Sequence, residues 1–77
     1  MNDAILKILT QIRPEFDFSI SNDFVEQGLL DSYDIMMLVV DLEKQFLVSI
    51  QGTDIVPENF RNVGTIAALL VKSGAKP

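Results

Sequence analysis

The residues whose chemistry could be put to use lie in one segment of this 77-residue chain, Gly28-Leu29-Leu30-Asp31-Ser32-Tyr33-Asp34. Ser32 follows a glycine-containing loop and opens an amphipathic stretch, so its hydroxyl is expected to be exposed and within reach of another protein. A phosphate attached there would meet unpaired backbone N–H groups and the positive end of a helix dipole. Such a place accommodates a phosphodiester without a dedicated pocket, and Asp31 beside it would help a modifying enzyme position a magnesium ion. Ser and Asp are also favoured helix N-caps, which is the plainer explanation of the same two residues.

The composition removes most other chemistry. The chain has neither Cys nor His. It therefore lacks a thiolate nucleophile, a disulfide framework, and the commonest general base and metal ligand. A hydrolytic serine needs a base beside it, usually His. The carboxylates do not fall at the spacing of a calcium loop. Between Pro14 and Asn59 there are ten acids and one base, Lys44, so this stretch carries −9 against −5 for the whole chain. Nucleic-acid phosphates would be repelled, whereas partners with basic docking patches would be attracted. No apolar run is long enough to span a membrane, and Met1-Asn2-Asp3-Ala4 does not begin a signal peptide, so the expected location is the cytoplasm.

The spacing of apolar residues predicts one domain over 1–77 with helices at about 3–13, 32–46, 57–60 and 63–72. Ile5, Ile8, Leu9 and Ile12 share one face of the first, which Asn2 or Asp3 would cap and Pro14 would stop. Ile35, Leu38, Val39, Leu42 and Phe46 should face inward on the second, with Asp31 or Ser32 as its cap. Pro57 to Phe60 suits one short turn, and Asn62 would cap the last helix, whose buried face is Ile66, Leu69 and Leu70. Residues 14–30 form a long first loop whose Phe16, Phe18, Ile20, Phe24, Leu29 and Leu30 should pin it onto the core. Ala75, Lys76 and Pro77 are expected to fray. The fold class is all-α, a small four-helix bundle of three main helices and a short third one.

From about Phe24 to Leu70 the chain resembles the acyl carrier protein family, the phosphopantetheine-binding carriers. Gly28-Leu29-Leu30-Asp31-Ser32 is similar to the family's signature around its modified serine. Leu38, Leu42, Glu43 and Phe46 resemble the pattern of the helix that follows, and Val63 to Leu70 resembles the closing helix. The resemblance implies a non-enzyme whose Ser32 receives 4'-phosphopantetheine from coenzyme A through a phosphopantetheinyl transferase. The arm's thiol would then carry an acyl or aminoacyl group for loading and transfer enzymes. A chain without cysteine does thioester chemistry this way, because the sulfur belongs to the cofactor.

Tyr33, Asp34, Met36, Met37, Val40 and Asp41 on the second helix are the expected docking residues of a monomeric carrier. This face is more apolar than in carriers of primary fatty acid synthesis, which usually have Glu where Met37 stands. Met36 and Val40 would equally suit covering a groove beside the short helix. An aromatic residue directly after the serine resembles the D-alanyl carriers of cell-wall modification, so the specialised acyl or aminoacyl branch is favoured over a fatty-acyl carrier. A second class of reading is an unmodified helical module that binds partners through the outer face of residues 33–44.

Overall fold

Ile5, Ile8 and Leu9 recur at the three- and four-residue spacing of one helical face, and all three are buried on α1 (Asn2–Ile12) of the computed structural model, which describes residues 1–76. The same logic builds α2 (Ser32–Phe46), which buries Ile35, Leu38, Val39 and Leu42, and α3 (Val63–Lys72), which buries Ile66, Leu69 and Leu70. Three 3-10 turns, Phe18–Ile20, Gly52–Asp54 and Pro57–Phe60, lie in the connections, and no strand occurs among the described residues. The short third helix expected over 57–60 is thus a 3-10 turn, with Pro57 at its start and Phe60 fully buried. The helices surround one cluster in which Ile5, Leu9, Phe24, Leu38, Leu42, Phe60, Ile66 and Leu70 have no exposed surface to speak of.

The long first loop is held by aromatic packing. The Phe18 ring meets Phe24 edge-on at 5.1 Å and Phe16 edge-on at 6.3 Å, the arrangement that aromatic quadrupoles favour. Ile20 is an exception to the expected pinning. It is 82% exposed, because the turn at Phe18–Ile20 sends Phe18 inward and its next apolar neighbour out.

Both capping of α3 and termination of α2 are explicit. The Asn62 side chain accepts from the Thr65 amide, and the Thr65 hydroxyl oxygen accepts from the Asn62 amide in return. At α1 neither Asn2 nor Asp3 caps; the helix begins one residue earlier than expected, from Met1, with no side-chain cap. Ala75 is buried and its amide bonds to the Leu70 carbonyl, so the chain does not fray there; Pro77 lies outside the described residues.

α2 ends at Leu47 with φ +55°, a left-handed conformation that a leucine adopts at a cost. Its side chain is 89% exposed and gains little from burial. Leu47→Gly should therefore raise the unfolding free energy by roughly 0.5 kcal/mol, the relief of strain exceeding the entropy that glycine adds to the unfolded chain. Urea denaturation followed by circular dichroism measures it; a fall in stability would show that the Leu47 side chain is held by contacts.

Candidate functional site

Ser32 owes its position to the turn that precedes it. The Asp23 carboxylate accepts from the Glu26 amide, and the Gln27 and Gly28 amides bond to the Asp23 and Val25 carbonyls. Gly28 then takes φ +76°, which suits a residue without Cβ, and the Leu29 and Leu30 amides both bond to the Phe24 carbonyl. Phe24 is fully buried and Leu30 nearly so, so the turn is anchored from both ends. Two residues later the chain enters α2. Asp31 is the N-cap and Ser32 the first helical residue, exposed to solvent.

Asp31 and Asp34 close a reciprocal capping box. The Asp34 amide donates to Asp31 Oδ1 at 2.9 Å, and the Asp31 amide donates to Asp34 Oδ2 at 3.1 Å. Asp34 is only 3% exposed, which removes it from the expected docking face. It points inward because it lies four residues before Leu38, on the row that α2 turns to the core. Arg13, at the end of α1, supplies the countercharge. Its Nε donates to Asp34 Oδ2 at 2.9 Å, while its Nη2 and Nη1 reach Asp31 Oδ2 and Glu15 Oε2, both at 3.4 Å. The expected site did not include Arg13; the one clue is that it is the last base before an almost wholly acidic stretch.

These contacts shift the ionisation of the site. The hydrogen bond from the Asp34 amide holds the Asp31 carboxyl below its ordinary value of 3.8, and the Arg13 charge adds to this. Arg13 is pushed above its own ordinary value, chiefly by its hydrogen bond to Asp34. Asp31 is therefore a carboxylate at any pH near neutral, with one oxygen on the helix amide and the other facing a guanidinium.

On the outer side of α2, Tyr33, Met36, Met37 and Val40 are all exposed, Tyr33 at 71%. Asp41 is half-buried and Lys44 exposed. Between this face and the Gly52–Phe60 segment lies a groove of about 240 Å³ lined by Ser32, Ile35, Met36, Ile55, Val56 and Pro57. Met36 thus borders the groove, while Val40 is not among the residues lining it. At the far end of α2 the Glu43 carboxylate accepts from the Ile50 amide at 2.9 Å, folding the chain back after the helix.

A family described as a phosphopantetheine attachment site matches residues 4–70 of the chain. The D-alanyl carrier protein of Lactococcus lactis subsp. cremoris is 33% identical over 70 residues, which cover 88% of this chain and 89% of the relative. The D-alanyl carrier protein of Lactococcus lactis subsp. lactis is 31% identical over the same length with the same coverage. No solved structure matches. These findings define a non-catalytic carrier, a protein that bears covalently attached 4'-phosphopantetheine and presents it to other enzymes. The chain belongs to the phosphopantetheine attachment-site family, and D-alanyl carrier proteins are among its relatives.

The lowered pKa of Asp31 has a consequence in acid. A carboxyl whose value is depressed on folding stabilises the fold above its ordinary value and loses that contribution as pH falls through the depressed one. Asp31→Asn keeps an oxygen for the Asp34 amide but does not titrate. The thermal midpoints of the two proteins should differ most at neutral pH and converge as pH falls below about 4. A gap that stays constant as pH falls would mean that the Asp31 charge does not contribute.

Proposed function

We propose that Ser32 is the attachment residue and that the chain works as one monomeric, cytoplasmic carrier unit over its whole length. The observation that carries this reading is the exposed Ser32 at the first position of α2, within the region 4–70 that matches the family. The surroundings fit the group. The Asp34 amide is taken by the Asp31 side chain, and the earlier amides of the first turn lack intrahelical acceptors, so a phosphodiester at Ser32 has those donors and a favourable dipole beside it. The Arg13 guanidinium offsets the Asp31 charge next to that position. The apolar groove that starts at Ser32 offers a surface along which an arm could rest.

Attachment is a phosphoryl transfer that a separate transferase catalyses. The Ser32 oxygen forms a bond to the pantetheine-side phosphorus of coenzyme A, and the pyrophosphate P–O bond breaks. Adenosine 3',5'-bisphosphate leaves with the bonding pair, and the serine proton passes to a base of the transferase. Once in place the arm supplies a thiol for thioester formation. This chain's own residues hold the serine outward, keep its helix capped and offer a docking face of Tyr33, Met36, Met37, Val40 and Asp41.

The cargo we infer is an amino acid, D-alanine first, or a small specialised acyl group. Support comes from the D-alanyl carriers among the relatives, from Tyr33 directly after the serine, and from an outer α2 face with apolar residues where acids would mark a primary fatty-acid carrier. Incubating the modified carrier with ATP and a D-alanine-activating ligase tests the cargo, read as a thioester-labile mass gain.

Ser32→Ala should abolish attachment and leave stability nearly unchanged, because Asp31 and not Ser32 caps α2. Intact mass after incubation with coenzyme A, magnesium and a broad-specificity transferase reads the first, and thermal denaturation the second. A phosphopantetheine gain on the alanine variant would move the site elsewhere. Met37→Glu should change the thermal midpoint little, since Met37 is 41% exposed, while altering which loading enzymes accept the carrier. Unchanged acceptance by aminoacyl and fatty-acyl loading enzymes alike would remove Met37 from the docking face.

A further inference from the structure

The site contains a cation that neither the motif nor the docking face requires. Arg13 caps the C-terminal end of α1, is about one-third exposed, and reaches three acids: Nε holds buried Asp34 and Nη2 meets Asp31, the two that bracket Ser32, while Nη1 meets Glu15. Those acids are bound to each other through the capping box, so the guanidinium, two carboxylates and two backbone amides form one closed network around residues 31–34. Ser32 lies inside that network and contributes no side-chain contact to it. The arrangement leaves the hydroxyl free while fixing the backbone that carries it.

We propose that Arg13 is a positioning residue for attachment: by clamping Asp34 and Asp31 it holds the head of α2 so that the Ser32 oxygen is aimed at the incoming phosphorus. This rests on Ser32 being the attachment residue. Arg13 touches no reacting atom and acts through the two aspartates. A fork geometry is what the role needs, because Nε and Nη2 engage different carboxylates at once. Lysine supplies the charge from a single nitrogen and cannot hold both acids in the same geometry.

The carrier is the substrate of the transferase, which separates a positioning role from a merely structural one. If loss of Arg13 only unfolded part of the population, the concentration of competent carrier would fall. Apparent KM would then rise in inverse proportion to the competent fraction, with kcat unchanged. If loss of Arg13 lets the head of α2 move while the outer face still docks, KM stays and kcat falls, because the serine reaches the attacking geometry less often.

The test is steady-state attachment of phosphopantetheine to the full chain, varying carrier concentration, for the unsubstituted protein, Arg13→Met, Arg13→Lys and Lys7→Met. Lys7 is an exposed base elsewhere on α1, and its loss changes net charge as much as the loss of Arg13. The expected result for both Arg13 variants is a kcat lower by about tenfold or more with KM within about twofold, and no change in either constant for Lys7→Met. Circular dichroism at the assay temperature confirms that the variants are folded. Full kcat in Arg13→Met, a change confined to KM, or rescue by lysine would overturn the positioning role. If the unsubstituted chain is not modified, or is modified at another residue, the attachment reading fails instead, so the two failures are told apart.

Discussion

Taking an isolated carboxylate out of water costs on the order of several kcal/mol, and the Asp34 carboxylate is nearly sealed off. Its Oδ2 is satisfied by a guanidinium from α1 and by the amide of the residue that caps its own helix. Those partners come from different parts of the chain, so meeting the charge also fixes where α1 ends relative to where α2 begins. The rest of the site follows from that junction. Asp31 is held by the Asp34 amide, Ser32 must follow Asp31 outward, and the preceding turn at Gly28 is set by the need for Leu30 to reach the core.

The helices were legible because their apolar residues repeat at helical spacing. Ile35, Leu38, Val39 and Leu42 are an uninterrupted inward face, and the Asp31-Ser32 step announced where it starts. Side-chain interactions that depend on a distant partner were not legible. Asp34 reads as a surface acid by type, although its place four residues before Leu38 puts it on the buried row. What allows it to be there is Arg13, 21 residues away, and no local pattern encodes that pairing. Ile20 shows the converse. Its apolar side chain in the first loop suggests a share in the core, but a 3-10 turn does not keep the period of either a strand or an α-helix. The 3-10 turns themselves, three or four residues each, are too short to show any hydrophobic period.

α2 works on two sides. Its inner row packs the core, while Tyr33, Met36, Met37 and Val40 keep apolar surface in water. Exposed apolar residues gathered on one helical face are a recognised mark of an interaction surface. Both ends of the helix are tied by carboxylates that accept backbone amides, Asp31 at the head and Glu43 at the tail. The outer face is thereby presented by a helix with fixed ends, which lowers the ordering cost of any partner that docks on it.

The burial of Asp34 also bears on the order in which the molecule assembles. Helix α2 could begin to form locally, since its capping box needs only residues 31–34. Its first turn cannot be desolvated cheaply until Arg13 arrives, and Arg13 arrives only when α1 has docked. The head of α2 is thus completed by a contact between residues 21 apart in sequence, and not by the local helix alone. A chain caught before that docking would present Ser32 on a loose end, whereas the finished fold presents it on a fixed one. The junction between α1 and α2 therefore ties the placement of Ser32 to the docking of two helices that are separate in sequence.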